Sequence, residues 1–272
     1  MTLGFIGCGN MAKAIITQII KTGYIRSGDV SAHDIDIDAL NEFCRLSGIN
    51  KKDSAQDIIE ASDAVILAVK PQNLNGLLPE IAQICKTIAN GNGKKNPLVI
   101  SIAAGKTLKF YEGFFGYPAK IVRVFPNMNA GVGASVTAYC PNGNVNADET
   151  AEIHKFCESF GSAYLISEDI FPAFGVLTAC APAYTFMYIG ALAAAAAENG
   201  VGPELALKAA AEMAKGSAIT LSSAKTPPSE LVNKVCSKGG TTIEGVDLLK
   251  AGGFEEIVNK AYRASLEKDK KM

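Results

Sequence analysis

The sequence predicts an α/β fold, in which an N-terminal doubly wound sheet of the Rossmann type is followed by an all-helical C-terminal domain. Three observations lead to this prediction. A glycine-rich turn, Gly7–Ala12, directly follows an apolar run and opens a helical pattern. Short apolar runs then alternate with helical patterns as far as residue 166, whereas only alanine-rich helical patterns follow. We therefore expect two domains, residues 1–166 and residues 167–272.

Seven apolar runs in the first domain have the length and composition of buried strands. They are Thr2–Ile6, Asp29–His33, Ala64–Val69, Leu98–Ala103, Lys120–Phe125, Ser135–Tyr139 and Ala163–Ile166. Helical patterns at Asn10–Lys21, Ala39–Leu46 and Asn73–Ile88 connect the first strands, so we expect the strands to pair in parallel. The polar, glycine-rich stretch from Asn90 to Pro97 predicts an exposed loop inside this domain.

The second domain has the patterns of five helices. They are Ala183–Glu198, Pro203–Ser223, Ser229–Val235, Thr242–Leu249 and Phe254–Lys268. Residues 170–197 carry no charged side chain over a length that could span a bilayer. Proline and glycine interrupt this stretch, its second half is mostly alanine, and no Lys- or Arg-rich flank anchors it. We interpret it as a helix buried in the protein core or in a subunit interface.

Charge and cysteine content exclude several classes of protein. The 272 residues include 26 basic and 27 acidic side chains, a net charge of −1 that offers no footprint for nucleic acid or anionic membrane. The seven cysteines are odd in number and have no C-x-x-C spacing, so neither a zinc cluster nor a disulfide framework is indicated. We expect reduced thiols in a cytoplasmic protein without a metal, whose partner is a small-molecule substrate.

The turn Gly7–Ala12 has the spacing G-x-G-x-x-A between a strand and a helix. Gly7 permits a tight turn, Gly9 lets the backbone approach a pyrophosphate, and the small Ala12 lets the helix pack on the strand. Free N–H groups at the helix start then bind phosphate. A turn without a ligand is the alternative, but the βαβ pattern that follows favours a dinucleotide-binding domain. The predicted cofactor contacts here are Gly7, Cys8, Gly9, Asn10, Met11 and Ala12.

Asp34 follows the second predicted strand, 22 residues after Ala12. A carboxylate at this place would accept a hydrogen bond from a ribose 2′-hydroxyl and disfavour a 2′-phosphate. Residues 33–38 contain no arginine or lysine that could bind such a phosphate, which favours NADH. The alternative is that Asp34 only caps the following helix. Both interpretations stay open, so the predicted cofactor is NADPH or NADH.

Five stretches together resemble the pyrroline-5-carboxylate reductases, the enzymes of the last step of proline synthesis. In chain order they are residues 4–12 (GFIGCGNMA), 68–72 (AVKPQ), 101–105 (SIAAG), 123–127 (RVFPN) and 239–245 (GGTTIEG). The last stretch is the most specific, because it is the core of that family's C-terminal signature. The resemblance covers nearly the whole chain. It implies a helical domain for dimerisation and substrate binding, through which a homodimer or a larger homo-oligomer assembles.

Two strand ends carry further candidate residues. One predicted strand ends in the sequence Val69-Lys70-Pro71. Ligands bind beside the carboxyl ends of strands in open α/β sheets, so we predict that these three residues contact the cofactor. The resemblance places the amide of Asn127, at the end of another strand, against the nicotinamide or its ribose. A turn asparagine that bonds its own backbone is the alternative.

Residues 237–242 (SKGGTT) form a glycine-rich loop that runs into a helix. Thr241 and Glu244 have the spacing of a capping box, and the exposed N–H groups around them would bind a carboxylate. The resemblance places the substrate carboxylate here, with the hydroxyl of Thr242 near the ring nitrogen. Thr242 and Ser237 are the predicted catalytic residues. The predicted substrate-binding residues are Gly239, Gly240, Thr241 and Thr242.

The reaction that the resemblance implies is hydride transfer from NADPH or NADH to (S)-1-pyrroline-5-carboxylate, which gives L-proline. The alternatives are a reductase of the same fold that acts on another small imine or keto acid, and a non-catalytic dinucleotide-binding regulator. The glycine–threonine loop argues against a regulator, which needs no carboxylate site. Thr178–Ala181 and Lys238 depart from the family pattern, and these departures concern the substrate more than the fold.

Overall fold

The computed structural model describes residues 1–91 and 96–269, so residues 92–95 of the predicted loop from Asn90 to Pro97 lie outside the described part. Within that part, eight strands form one sheet in the order β3-β2-β1-β4-β5-β6-β7-β8. Their bounds are β1 Leu3–Ile6, β2 Val30–His33, β3 Asn50–Lys51, β4 Ala64–Leu67, β5 Leu98–Ser101, β6 Ile121–Phe125, β7 Ser135–Pro141 and β8 Gly161–Leu165. The predicted α/β class is confirmed, and every predicted strand is present.

Helices connect these strands and cover both faces of the sheet. They are α1 Asn10–Lys21, α2 Ile37–Ser47, α3 Ala55–Ala61, α4 Leu74–Asn90, α5 Leu108–Phe115 and α6 Ala147–Glu158. The sequence patterns gave no bounds for α6, and they missed β3, α3 and α5, which have only two, seven and eight residues and hence little periodicity. Cap residues do mark both helices. Ser54 Oγ accepts from the Asp57 N–H, and Thr107 Oγ1 accepts from the Phe110 N–H, each at 3.1 Å.

The prediction of parallel pairing holds from β1 to β6 but is wrong for β7, which lies antiparallel to β6. The two strands are joined by residues 126–134, which is shorter than the dozen or so residues of a parallel crossover. Helix α6 then crosses the sheet, and β8 is again parallel to β7. The antiparallel pair places the turn after β6 directly beside the start of β7.

The chain divides into two compact units, one of residues Met1–Ala179 and another that begins at Cys180. The first unit therefore extends 13 residues (179 minus 166) beyond the predicted boundary. Glu168 explains the difference, because its Oε1 accepts from Arg123 Nη1 at 2.6 Å and from the Leu108 N–H at 2.7 Å. The Arg123 guanidinium also lies 4.3 Å from the centroid of the buried Phe171 ring. These contacts bind the segment after β8 to the sheet.

The later part of the chain is helical, as predicted. A short helix, α7 Phe171–Gly175, and a π-helical turn, Val176–Cys180, precede the remaining helices. These are α8 Ala181–Glu198, α9 Pro203–Ser223, α10 Pro228–Val235, α11 Thr241–Ala251 and α12 Phe254–Asp269. Small side chains (Ala193, Ala206, Ala210) form the buried contact between α8 and α9. The Tyr184 hydroxyl is hydrogen-bonded to Ser265 Oγ, which joins α8 to α12.

The long uncharged segment lies mostly at the surface of the chain. Among the described residues, one helical stretch, Glu168–Glu198, is long and apolar enough to cross a membrane. An 18-residue window of this stretch has a mean hydropathy of 1.5, and 17% of that window is buried. This low buried share disagrees with a helix in the core of a single chain. Other apolar side chains of the second unit, such as Leu207 and Leu248, are also exposed. Of the two sequence interpretations, the subunit interface fits this surface better.

Candidate active site

The turn between β1 and α1 can be built only with glycine at position 7. Gly7 has φ +94°, a conformation that side chains rarely adopt, and its N–H donates to the His33 carbonyl at 2.8 Å. A Cβ atom on Gly7 would lie 2.7 Å from the carbonyl oxygen of Ala68, which follows β4. The turn therefore brings together the carboxyl ends of β1, β2 and β4, where open α/β sheets bind ligands.

Gly9 leaves the start of α1 open to a ligand. It is the N-cap of the helix, no side chain caps it within the described chain, and the first turn contains no acidic residue. A Cβ atom at Gly9 would meet nothing described within 4 Å, so the space beside the backbone is free. The unpaired N–H groups of this helix start and its positive dipole end fit a pyrophosphate. The residues present therefore fit the predicted dinucleotide.

Asp34 is held beside the same turn by two backbone donors. The Cys8 N–H donates to Asp34 Oδ2, and the Asp36 N–H donates to Asp34 Oδ1 at 2.9 Å. Helix α2 is capped by Asp36, whose Oδ1 accepts from the Ala39 N–H at 3.0 Å. The interpretation of Asp34 as the cap of that helix is therefore wrong. Its carboxylate instead joins the end of β2 to the turn after β1.

These elements enclose a groove of about 560 Å³, within the usual range for small-molecule sites. Five predicted contacts line it: Gly7, Gly9, Asp34, Val69 and Lys70. The groove is also lined by residues that were not among the predicted cofactor contacts, including His33, Ile35, Asp53, Ser54, Asn73 and Glu80. Asp53 and Ser54 lie directly before α3. The spacing of Ser54 and Asp57 is typical of a helix start, and this signal could have indicated both residues from the sequence.

Four other predicted cofactor contacts lie at the start of α1 or after β4. Asn10 is exposed and Met11 half-buried in the first turn of α1, and Ala12 is buried against the sheet. Pro71 starts a short 3-10 turn after β4. The thiol of Cys8 is buried in the core, and burial raises its pKa to about 12, so it stays protonated at neutral pH. Cys8 contributes its backbone N–H to this site rather than a reactive sulfur.

Asn127 follows β6 and is almost completely buried. Its Oδ1 accepts from the Asn129 N–H at 3.1 Å, and its Nδ2 donates to the Thr178 carbonyl at 2.8 Å. Both ends of the amide are thus bonded within the chain, as in the alternative of a turn asparagine. The amide links the turn after β6 to the π-helical turn, which contains the first three residues of the departure at Thr178–Ala181. Contact between Asn127 and the cofactor stays a prediction.

The glycine–threonine loop of the second unit leads into a helix that, like α9 after Gly202, begins after a glycine and has no side-chain cap. Gly239 has φ +71°, the Gly240 N–H donates to the Ser237 carbonyl at 3.0 Å, and a Cβ on Gly240 would lie 2.3 Å from Ser237 Oγ. Gly240 is the N-cap of α11. Thr241 is the first helical residue and makes no cap bond, so the predicted capping box with Glu244 is wrong.

This arrangement favours the predicted anion-binding role of the loop. Because a glycine occupies the N-cap of α11, no side-chain oxygen from the described residues bonds the first N–H groups of the helix. Ser237, Thr241 and Thr242 are exposed around that helix start. Backbone donors and hydroxyl groups therefore share one open loop, which suits a small carboxylate.

The fold and the groove define a Rossmann-type oxidoreductase of the dinucleotide-dependent class. Residues 2–105 match the family model described as "NADP oxidoreductase coenzyme F420-dependent", and residues 168–272 match "Pyrroline-5-carboxylate reductase dimerisation". The chain is 37% identical to the pyrroline-5-carboxylate reductase of Escherichia coli (strain K12), over 99% of this chain and 97% of that protein. The chain belongs to the pyrroline-5-carboxylate reductase family, as the sequence motifs predicted.

Solved structures of similar proteins agree with this assignment. The 1-pyrroline-5-carboxylate reductase of Streptococcus pyogenes superposes with a TM-score of 0.86 at 30% identity, over 100% of this chain and 99% of that one. The pyrroline carboxylate reductase of Plasmodium falciparum, solved with NADP bound, gives a TM-score of 0.85 at 26% identity, over 99% and 97% of the two chains. The likeness therefore extends through both units.

The two glycines of the turn are expected to respond differently to substitution. Gly9→Ala places a methyl group in the open space over the helix start and should weaken binding of ADP-ribose roughly tenfold, with a stability change within about 1 kcal/mol. Gly7→Ala is the contrasting variant. Its strained φ and the clash with Ala68 should lower the free energy of unfolding by about 2 kcal/mol or more.

Calorimetric titration with ADP-ribose and urea unfolding measure these two effects separately. Undiminished affinity in Gly9→Ala would mean that the pyrophosphate does not lie over this helix start.

Proposed function

We propose that this protein reduces (S)-1-pyrroline-5-carboxylate to L-proline with NADPH or NADH, as the final step of proline biosynthesis. One observation carries the proposal. This chain, a member of the family, has both a groove that fits a dinucleotide and a glycine–threonine loop that fits a carboxylate. A protein that only sensed dinucleotides would need the groove alone.

The chemistry asks the protein for positioning more than for a strong acid or base. A dinucleotide held in the groove would supply the hydride that C5 of the protonated cyclic imine accepts, and the nitrogen would keep its proton and take up the C=N π electrons. The chain would hold the pyrophosphate at Gly9 and the substrate carboxylate at the N–H groups after Gly240. Holding the nicotinamide ring against the substrate ring can raise the rate by several orders of magnitude. This gain corresponds to an effective concentration on the order of 10⁵ M.

Thr242 and Ser237 are the side chains that we assign to the reacting end of the substrate. The hydroxyl of Thr242, in the first turn of α11, would accept a hydrogen bond from the protonated ring nitrogen or donate one to it as its charge is lost. Ser237 precedes the glycine pair and would support the same end of the loop. Their exposure in the single chain leaves both hydroxyls accessible to a substrate.

We further propose a cytoplasmic homodimer that assembles through the second unit. Helix α8, which has no charged residue before Glu198 at its end, and exposed apolar side chains of that unit, such as Met187 and Leu248, present a surface that one chain leaves uncovered. The family model that matches this region describes dimerisation, and a larger homo-oligomer could form from such dimers.

A two-cofactor assay tests the proposed reaction. The purified protein should oxidise NADPH or NADH, measured as loss of absorbance, when 1-pyrroline-5-carboxylate is added, and proline should appear in equal amount. A keto acid of similar size, such as 2-oxopentanoate, is the control substrate. The absence of turnover with both dinucleotides, or faster turnover of the keto acid, would contradict the proposal.

The role of Thr242 is tested by variants that separate its hydroxyl from its shape. Thr242→Val removes the hydroxyl and should lower kcat/KM for the imine by roughly 10- to 100-fold, because one hydrogen bond made in the transition state is lost. Thr242→Ser keeps the hydroxyl and should retain most of the activity. Steady-state kinetics and the dissociation constant for ADP-ribose are the measurements. An equal loss of ADP-ribose affinity in Thr242→Val would assign the residue to cofactor binding instead.

The homodimer is tested by the mass of the protein in solution. Light scattering at micromolar concentration should give at least twice the 28.5 kDa of one chain. Met187→Glu, which places a charge on the exposed apolar face of α8, should lower that mass, whereas Lys86→Glu on α4 is a charge control in the first unit. A wild-type mass of one chain would exclude this assembly.

A further inference from the structure

The end of β2 presents a fixed carboxylate to the groove. Asp34 lines the groove, and backbone N–H groups of Cys8 and Asp36 each donate to one of its two oxygens. A carboxylate can accept about four hydrogen bonds, so each oxygen keeps a position for a further donor. The side chain is not needed at the start of α2, because Asp36 caps that helix. The groove therefore holds an acceptor that is both oriented and available.

We propose that Asp34 makes this protein selective for NADH over NADPH. The proposal rests on the proposed function, since it concerns the cofactor of that reaction. In Rossmann folds the adenosine ribose lies beside the end of the second strand, where Asp34 stands. A ribose 2′-hydroxyl can donate to a free position on this carboxylate. A 2′-phosphate brings only acceptors and negative charge to the same place.

Among the described residues that line the groove, neither neighbour of Asp34 in the sequence, His33 or Ile35, is a lysine or arginine. Ile35, the next residue, is apolar and 90% exposed at the edge of the groove, and the sequence continues with two more acidic residues, Asp36 and Asp38. His33 directs Nδ1 to the Lys52 carbonyl at 3.2 Å. Like charges brought together without a counterion disfavour a ligand strongly.

Lys70 is the only lysine or arginine among the described residues that line the groove, and it belongs to another part of it. It follows β4, which lies two strand positions from β2 in the sheet, a separation of about 10 Å between the strands. A cation after β4 is placed to act on the central part of a bound dinucleotide. Asp53 and Glu80 also line the groove and add negative charge.

Equilibrium binding of two cofactor fragments tests the proposal without catalysis. ADP-ribose and ADP-ribose 2′-phosphate differ only in the group at issue, and titration calorimetry with the full chain gives both dissociation constants. The wild type should bind ADP-ribose roughly tenfold or more tightly than its 2′-phosphate. In Asp34→Ser this ratio should fall by roughly tenfold, since a hydroxyl tolerates either ligand. Adding Ile35→Arg to Asp34→Ser should reverse the preference.

Asp36→Asn is the matched control. It removes one negative charge two residues from Asp34, and asparagine caps a helix as well as aspartate does. Its ratio of dissociation constants should stay within about twofold of the wild-type value. Asp34→Asn provides a second variant of nearly the original shape, and melting temperatures show that each variant is folded.

Two results would overturn the proposal. One is a wild-type protein that binds the 2′-phosphate as tightly as ADP-ribose. The other is an Asp36→Asn ratio that shifts as far as that of Asp34→Ser, which would assign the selectivity to net charge rather than to Asp34. The proposed reaction is judged separately. Turnover with NADPH alone would retain the reductase and reject the selectivity, whereas selective fragment binding without imine turnover would do the opposite.

Discussion

The close contact between Gly7 and the backbone of Ala68 is the constraint on which the nucleotide-binding unit depends. It requires a residue without a Cβ atom at a positive φ, and it holds the ends of β1 and β4 within van der Waals distance. Because β2 is tied to the same turn through His33 and Asp34, three strand ends share one edge. The groove follows directly, since the helix that leaves this turn must begin over that edge.

Each unit of the chain contains a helix that starts after a glycine and lacks a side-chain cap. In the described residues, α1 begins after Gly9 and α11 after Gly240. A Ser, Thr, Asp or Asn cap is worth about 1 kcal/mol, so both starts give up stability that capped helices of this chain, such as α2 and α6, obtain. The same property, unpaired N–H groups, suits a diphosphate in one case and a carboxylate in the other.

Structural elements could be predicted from the sequence where a residue pattern was long, or where only one residue type can adopt the required conformation. The glycine turn, the buried strands and the long C-terminal helices were all predictable for that reason. Assignments of single polar side chains were less secure, because several local partners compete for each of them. Asp36 rather than Asp34 caps α2, Gly240 rather than Thr241 caps α11, and Asn127 bonds within the chain. The antiparallel β7 could have been predicted, because the nine residues between the predicted strands that end at Phe125 and begin at Ser135 are too few for a parallel crossover.

The attachment of residues 167–179 to the sheet has a consequence for dissecting this chain into parts. A nucleotide-binding fragment that stopped at residue 166 would leave the nearly buried guanidinium of Arg123 without its carboxylate partner, Glu168. It would also uncover Phe125, against which Gly175 packs with no room for a side chain. A fragment that continued to Ala179 would keep both contacts. The place at which this chain can be divided with both contacts intact therefore lies within the π-helical turn, after Ala179.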